Sequence, residues 1–247
     1  ESARREGEKY FADGRVYVGT GMIERQGSVV ALDAESGKRI WEYAIPKAGE
    51  GDLLDGVSAD LAFAEGKVFA ISGHGKLYAL EASTGRQCWR LNVDIWGSKP
   101  VPPAVADGKV FVGVQDRGGP DKLVAINVDT GRVVWECSGG SAVAGVAVAS
   151  GLAITGSEDG SLHAVGARSG EAKWSFETGD FSKAVPIVAD GMVYATSEDG
   201  YLYAINAGTG AEGWRIWIGD TTWRVPAASG GFVYVSGSEG LVAIGNA

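Results

Sequence analysis

A seven-residue pattern, in which a tryptophan follows a turn glycine by four positions, recurs five times along the chain. The copies are ESGKRIW (35–41), STGRQCW (83–89), DTGRVVW (129–135), RSGEAKW (168–174) and GTGAEGW (208–214). Their turn glycines are 48, 46, 39 and 40 residues apart. A repeat of this length is one supersecondary unit that buries its apolar surface against neighbouring copies. The spacing therefore restricts the chain to a repeat architecture.

Two further patterns run in step with the first and raise the number of repeats to six. One comprises ADGRVYVG (12–19), AEGKVFAI (64–71), ADGKVFVG (106–113), ASGLAITG (149–156), ADGMVYAT (189–196) and SGGFVYVS (229–236). The other comprises SVVALDA (28–34), KLYALEA (76–82), KLVAINV (122–128), SLHAVGA (161–167), YLYAINA (201–207) and GLVAIGN (240–246). A length of 247 residues alone would allow two domains. Six copies along nearly the whole chain instead predict one repeat domain over 1–247.

Each repeat is predicted to form four antiparallel strands, A to D, because its apolar runs are short and bounded by Gly, Asp and Asn. Asp-Gly pairs such as Asp107-Gly108 suit two-residue hairpin turns between strands A and B. Asn127 and Asn206 open the turns between strands C and D, where a short polar side chain can bond the backbone. Strand D carries the tryptophan. Pro103, Pro186 and Pro226 are predicted to lie within strand A, since only an edge strand tolerates proline.

Strand C distinguishes a propeller from a sandwich. KLYAL (76–80) and KLVAI (122–126) each contain four consecutive apolar residues, which predicts that both faces of the sheet are covered. Six equal sheets that cover one another close into a ring. The fold class predicted is therefore all-β, a β-propeller of about six four-stranded antiparallel blades. Residues 1–11 are predicted to supply strand A of the first blade, which leaves the sixth blade three-stranded; the alternative is an outer strand of the sixth blade.

The tryptophans of the repeat are predicted to be structural docking residues that fill the gap between adjacent blades. Each such ring buries about 150–250 Å². A platform that stacks bases or sugars is the alternative interpretation. The residues concerned are Trp41, Trp89, Trp135, Trp174 and Trp214.

Composition and motifs argue against several function classes. The net charge of −9 opposes binding to phosphate backbones, so a nucleic-acid partner is not expected. No apolar run reaches the length of about 20 residues that a membrane-spanning helix needs. Cys88, Cys137 and His163 are interpreted as core or filler residues, and the SEDG segments at 157–160 and 197–200 as ordinary polar turns. No metal site and no catalytic residue are predicted.

The segments DGYLYAINAGTGAEGW (199–214) and HGKLYALEASTGRQCW (74–89) resemble the PQQ-type, quinoprotein-like propeller repeat with its tryptophan-docking motif. That repeat occurs in quinoprotein alcohol dehydrogenases, in the propeller lipoprotein of the outer-membrane barrel-assembly machinery, and in sensor and scaffold domains. The resemblance implies a propeller fold and an extracytoplasmic location, which is periplasmic, secreted or cell-surface. It does not fix an activity, because one fold serves many functions.

The resemblance also implies what an enzyme of this kind would need. Its quinoprotein members use a calcium ion held by Asp, Asn and Glu, a catalytic Asp and an adjacent pair of cysteines. Cys88 and Cys137 are 49 residues apart, and no carboxylates cluster on the inner strands. Neither pyrroloquinoline quinone nor calcium is therefore expected as a cofactor.

Loop variation predicts where a partner binds. In an A-B-C-D meander, the B–C turns and the D–A connections emerge on one face, and the irregular segments of the chain fall there, including 19–28 and 114–122. Three cations on this face would attract an acidic group, and three aromatic residues would serve as anchors. The candidate residues are Trp96, Lys99, Phe181, Lys183, Trp223 and Arg224.

The function predicted is a non-catalytic scaffold or binding module that recognises a protein or peptide partner, possibly an acidic one. Two alternatives from other classes stay open. One is a quinoprotein-like, PQQ-dependent oxidoreductase, and the other is a small-ligand sensor domain of a larger receptor or kinase. A plainer interpretation of the loops is that they only connect the blades.

Overall fold

A computed structural model describes twelve segments of the chain. These are residues 4–6, 9–21, 27–47, 56–57, 61–93, 102–114, 122–138, 145–157, 159–180, 185–219, 225–238 and 240–245. The regular elements within these segments are 24 β-strands. The chain divides into two compact units, an N-terminal unit of 1–119 with 124–134 and a C-terminal unit of 120–123 with 135–247.

The strands form six antiparallel sheets in chain order, and within each sheet the strands follow one another as a meander. Sheet 1 contains β1 (Arg4–Glu6), β2 (Lys9–Ala12), β3 (Arg15–Thr20), β4 (Ser28–Asp33) and β5 (Arg39–Ala44). Sheet 2 contains β6 (Ala62–Ala64), β7 (Lys67–Ile71), β8 (Lys76–Glu81) and β9 (Gln87–Asn92). Sheet 3 contains β10 (Ala104–Ala106), β11 (Lys109–Val114), β12 (Lys122–Asn127) and β13 (Val133–Ser138).

The remaining three sheets belong to the C-terminal unit. Sheet 4 contains β14 (Val146–Ala149), β15 (Leu152–Gly156), β16 (Ser161–Gly166) and β17 (Ala172–Glu177). Sheet 5 contains β18 (Ile187–Ala189), β19 (Met192–Thr196), β20 (Tyr201–Asn206) and β21 (Glu212–Trp217). Sheet 6 contains β22 (Ala227–Ser229), β23 (Phe232–Gly237) and β24 (Gly240–Gly245).

The two ends of the repeat series depart from four strands in different ways. Strand β2 pairs with β3 and takes the place of strand A in sheet 1, as predicted for the segment 1–11. Arg4–Glu6 pairs in turn with β2 and gives this sheet a fifth strand, which the sequence did not predict. Sheet 6 has three strands within the described residues.

The turn chemistry has the predicted geometry. Asp107 and Gly108 have φ values of 49° and 68°, so both residues of this A–B turn are left-handed. At the C–D turn of sheet 3, the Asn127 side chain accepts hydrogen bonds from the backbone of Asp129 and Thr130 at 3.1 and 2.9 Å. The following Gly131, at φ 67°, takes a conformation that costs a side-chain-bearing residue energy.

The prediction for the prolines is wrong by one position. Pro103, Pro186 and Pro226 lie immediately before the first strands of sheets 3, 5 and 6, rather than within them. Because proline has no N–H to give to a strand ladder, it ends the connection and the hydrogen-bonded strand begins at the next residue.

Each unit has its apolar cores between successive sheets. In the N-terminal unit, one core joins sheets 1 and 2 around Tyr17 and Tyr78, and another joins sheets 2 and 3 around Phe69 and Ile126. In the C-terminal unit, the equivalent cores join sheet 4 to sheet 5 and sheet 5 to sheet 6. Third strands such as β8 are consequently buried along four consecutive residues. None of the described residues form a helix able to cross a membrane.

Candidate functional site

The tryptophans of the repeat sit between successive sheets. In four of them the indole N–H donates to the backbone carbonyl that opens the C–D turn of the next sheet. The donor–acceptor pairs are Trp41 to Ala82 at 2.9 Å, Trp89 to Val128 at 2.8 Å, Trp135 to Ala167 at 3.2 Å and Trp174 to Ala207 at 2.9 Å. The glycine of the same turn packs on the indole face, so each ring holds one sheet against the next.

The six residues proposed to bind a partner all lie outside the described residues. These are Trp96, Lys99, Phe181, Lys183, Trp223 and Arg224. The structure does describe the bases of the B–C turns and D–A connections that carry them. We refer to these described bases as the loop face of each unit. In the N-terminal unit it comprises residues 19–21, 56–57 and 72–75, and in the C-terminal unit residues 157, 159–160, 178–180, 197–200, 218–219 and 237–238.

In the N-terminal unit, the B–C turn of sheet 2 is bonded to the D–A connection that precedes it. The Gly73 N–H donates to the Gly56 carbonyl at 2.9 Å, and Val57 forms an antiparallel bridge with Ser72. Val57 also covers Gly19 so closely that a Cβ on this glycine would lie 2.7 Å from Val57 Cγ1. Turn and connection therefore emerge side by side in this unit, as a meander requires.

The C-terminal unit repeats this arrangement. The Ser197 hydroxyl donates to the Asp180 carbonyl at 2.9 Å, which ties the B–C turn of sheet 5 to the connection from sheet 4. The Ser238 N–H donates to the Ile218 carbonyl at 3.0 Å and does the same for sheet 6. Asp180 is followed directly by the segment that holds the candidates Phe181 and Lys183. The described residues next to the variable segments thus form a base that hydrogen bonds anchor to the neighbouring turn.

Asp199 is the central acceptor of this base. Its Oδ2 accepts the Gly179 N–H at 2.8 Å and the Tyr203 hydroxyl at 2.5 Å, while Oδ1 accepts the Tyr201 N–H at 3.0 Å. Burial raises the pKa of Tyr203 to about 12, and the hydrogen bond to the Asp199 carboxylate adds to this rise. One carboxylate therefore joins the turn, the third strand of its own sheet and the connection from the previous sheet.

Asp159 occupies the corresponding position in sheet 4. Its Oδ2 lies 2.9 Å from His163 Nε2, and its Oδ1 accepts the Ser161 N–H at 2.8 Å. Burial raises the pKa of Asp159, but the hydrogen bonds from His163, Ser157 and the Ser161 backbone outweigh it and hold that pKa below its usual value. His163 is half-buried with a carboxylate partner, so its interpretation as a plain core residue was incomplete.

The sequence contained a signal for both carboxylates that the prediction of ordinary turns missed. The SEDG tetrapeptide occurs twice at the same repeat position, and in both copies a side chain that can donate a hydrogen bond follows Asp by four residues. In a hairpin this spacing places the turn carboxylate beside the third strand. The pairs are Asp159 with His163 and Asp199 with Tyr203.

Tyr203→Phe is expected to lower the free energy of unfolding at neutral pH by about 1 kcal/mol, since Asp199 loses a donor. The more informative difference between the variant and the wild type lies in how their stability changes at alkaline pH. Folded Tyr203 keeps its proton up to about pH 12, whereas an unfolded tyrosine ionises near pH 10. Its contribution is therefore complete below pH 10 and is lost as the pH rises towards 12. The wild type should lose stability above pH 10 more steeply than the variant, as measured by urea unfolding.

The matched control is Tyr201→Phe, two residues earlier on the same strand. This variant leaves the hydrogen bond between Tyr203 and Asp199 in place. Equal slopes in the wild type and Tyr203→Phe would show that burial and the Asp199 contact do not raise the pKa of this hydroxyl in the folded protein.

A quinone and calcium site of the quinoprotein kind would need clustered carboxylates and an adjacent pair of cysteines. Within the described residues, no group of three or more His, Cys, Asp or Glu side chains is placed to hold a metal ion. Cys88 on β9 and Cys137 on β13 are free thiols on two different sheets. The described residues therefore do not present the calcium ligands and adjacent cysteine pair of a quinoprotein dehydrogenase.

Two curated relatives match parts of the chain. The outer membrane protein assembly factor BamB of Moranella endobia is 30% identical over 176 residues, which is 65% of this chain and 41% of that protein. A 1-butanol dehydrogenase (cytochrome c) of Thauera butanivorans is 41% identical over 92 residues, which is 34% of this chain and 13% of that protein. The chain thus corresponds to less than half of the length of either relative.

Solved structures show the fold. The crystal structure of BamB from Moraxella catarrhalis matches with a TM-score of 0.73 and 22% identity, over 94% of this chain and 67% of that one. Together with the all-strand architecture, this similarity identifies an all-β propeller of PQQ-like repeats, as the sequence predicted. The family model described as outer membrane protein assembly factor BamB matches residues 2–56, 25–143 and 122–245. These matches extend along almost the whole chain, which therefore belongs to that family.

Proposed function

We propose that this chain is a non-catalytic propeller module that binds a protein or peptide partner through the loop face. The observation that carries the proposal is the contrast between the two ends of the sheets. At one end the A–B and C–D turns repeat the same backbone geometry, with left-handed residues at matching positions. At the other end, the anchored base supports segments that differ in length and sequence from repeat to repeat. Binding residues commonly lie on variable loops held by a rigid scaffold.

The chemistry of those segments suggests an acidic partner. Lys99, Lys183 and Arg224 come from three D–A connections of a protein whose net charge is −9. Three cations on one face would give a local positive potential that attracts a carboxylate-bearing peptide or loop. Trp96, Phe181 and Trp223 would supply aromatic anchors, which often carry most of the energy of an interface. Membership of a family described by an assembly factor agrees with a partner-binding role and an extracytoplasmic location.

A second candidate function is a quinone-dependent alcohol oxidation. The observation that favours it is the 41% identity to a 1-butanol dehydrogenase. A cheap experiment separates the two functions. Adding pyrroloquinoline quinone and calcium to the purified protein should leave the absorbance spectrum equal to the sum of its components. A shifted quinone band that saturates with one equivalent would instead support the oxidoreductase.

The binding function is tested by the double variant Lys183→Glu plus Trp223→Ala. Capture of the native partner by the wild-type protein is the reference, and the variant should weaken it by at least about a hundredfold, as expected for losing a charge contact and an aromatic anchor together. The control is Lys38→Glu plus Ile40→Ala. It makes similar substitutions at the C–D turn of sheet 1, which lies at the end of that sheet opposite to its B–C turn. Both variants should keep the melting curve nearly unchanged. If the first variant still binds at matched salt, the partner does not use these residues.

A further inference from the structure

One cross-strand pair in sheet 5 differs from its counterparts in the other sheets. Tyr201, the first residue of β20, lies opposite Trp217, the last residue of β21. The corresponding pairs are Ser28 with Ala44 in sheet 1, Lys76 with Asn92 in sheet 2 and Ser161 with Glu177 in sheet 4. Small or polar residues therefore fit this position, so the fold does not require a pair of aromatic rings there.

Trp217 belongs to an exposed cluster rather than standing alone. Its side chain is 55% exposed. Cross-strand partners share one face of a sheet, which places Tyr201 beside it. The guanidinium carbon of Arg215 lies 5.4 Å from the centroid of the Tyr201 ring. We call Tyr201, Arg215 and Trp217 the aromatic–arginine patch, and these three residue types are the ones that most often dominate the energy of an interface.

Described residues on two sides hold the patch in place. Gly200 of the B–C turn packs against the indole, since a Cβ on this glycine would lie 3.1 Å from Trp217 Nε1. The Tyr201 ring lies 6.1 Å from that of Tyr203, which in turn meets the Phe176 ring of sheet 4 at 5.5 Å. The patch thus borders the loop face of the C-terminal unit and continues into the core between sheets 4 and 5. Side chains that are already ordered lose little conformational freedom on binding.

The charge of the patch favours an anionic ligand. Arg215 already lies over the Tyr201 ring, so a cationic ligand attracted by the aromatic rings would meet a like charge. Arg215 Nε lies 3.8 Å from Glu212 Oε1, and both side chains are exposed. An exposed ion pair of this length contributes little free energy. A ligand carboxylate can therefore compete for the guanidinium, which is suited to two parallel hydrogen bonds.

The spacing of the patch favours an extended peptide. Arg215 and Trp217 are two residues apart on β21, so their side chains leave the same face about 6.6 Å apart. An extended peptide presents every second side chain to one side with the same repeat. We infer that the aromatic–arginine patch binds an extended segment of a partner protein in which an acidic residue and an aromatic residue are two positions apart. The inference rests on the proposed function, because it assigns the chemistry of the segment that the partner presents.

Three capped synthetic peptides test this inference. GSEGFSG has the acidic and the aromatic residue two positions apart, GSQGFSG lacks the charge, and GSGEFSG makes the two residues adjacent, so that they point to opposite sides of an extended chain. Each peptide carries a fluorine atom on its phenylalanine ring, and the fluorine resonance is followed by NMR as the intact protein is added. GSEGFSG should saturate one site per protein. The other two peptides should bind at least tenfold more weakly, a difference of about 1.4 kcal/mol.

Variants of the protein assign the binding to the patch. Arg215→Gln should weaken binding of GSEGFSG at least tenfold and leave binding of GSQGFSG nearly unchanged, since the lost contact is with the carboxylate. The matched control is Arg90→Gln, which removes an exposed arginine from the same repeat position in sheet 2 and should leave both affinities unchanged. Trp217→Leu should also weaken binding of GSEGFSG at least tenfold, whereas Trp217→Phe should retain most of the affinity because it keeps an aromatic ring.

The titration uses no native partner and so separates this inference from the proposed function. Absence of saturation, or equal affinities for the three peptides, would overturn the inference and leave the binding function of the loop face intact. Displacement of GSEGFSG by glucuronic acid at a lower concentration than by unlabelled peptide would overturn it too, because the ligand would then be an acidic sugar. Partner capture that Lys183→Glu plus Trp223→Ala does not weaken would instead contradict the proposed use of the loop face.

Discussion

Trp89→Ala is expected to lower the free energy of unfolding by about 3–5 kcal/mol, the range for emptying a large buried aromatic site. The Trp89 side chain is 8% exposed, its N–H donates to the Val128 carbonyl at 2.8 Å, and its ring packs against Phe69. Truncation removes this packing between sheets 2 and 3 and leaves a buried carbonyl without its donor. The orphaned carbonyl contributes to the loss. Urea unfolding followed by circular dichroism measures the effect.

The control for this variant is Trp217→Ala. Trp217 has the same side chain on an outer strand but is 55% exposed, so its loss should cost about 1 kcal/mol or less. If both variants lost the same free energy of unfolding, burial between sheets would not be the way in which the repeat tryptophans stabilise the fold. The expected difference depends only on where the ring lies, since the substitution is identical.

The fold could be predicted because short segments within each repeat specify the turns between its strands. Asp107-Gly108 specifies a hairpin turn whichever sheets surround it, and Asn127 specifies the turn before Gly131 in the same way. Repetition of these signals then fixed the number of sheets. Strand β1 escaped prediction because Arg4–Glu6 has no apolar alternation, and Gly7 directly after it was not interpreted as a turn residue. Its pairing with β2 is local, since Glu6 lies opposite Lys9, but a strand of three charged residues shows no apolar pattern by which it could be recognised.

Less of the candidate site than of the fold could be predicted from the sequence. Its binding residues were inferred from loop variation alone, and they remain a prediction. Asp199 was interpreted as part of a polar turn, yet it also accepts the N–H of Gly179 from the connection that follows sheet 4. That contact joins residues 20 positions apart, so only the packing of successive sheets brings them together. The repeat pattern shows which residues face the neighbouring sheet, but it does not show which hydrogen bonds form between adjacent sheets and their connections.

Gly131→Ala is expected to cost about 2–5 kcal/mol, which is more than an ordinary glycine substitution. Gly131 and Gly108 have almost the same φ, at 67° and 68°. Alanine at either position pays about 1–2 kcal/mol for the left-handed conformation. A Cβ at Gly108 meets nothing within 4 Å, whereas at Gly131 it would lie 2.7 Å from Trp89 Cδ2. Overpacking of this kind adds about 1–3 kcal/mol.

Gly108→Ala is therefore the matched control, and the difference between the two variants isolates the contact with the indole. A double-mutant cycle sharpens the test, because residues in contact give non-additive effects. Combined with Trp89→Ala, the Gly131→Ala change should cost no more than Gly108→Ala does, about 1–2 kcal/mol, since the ring that the methyl group strikes is gone. Unfolding free energies of the four proteins from urea titrations supply the cycle. If Gly131→Ala cost the same with and without the Trp89 ring, the docking of tryptophan on glycine would not be what restricts this turn to glycine.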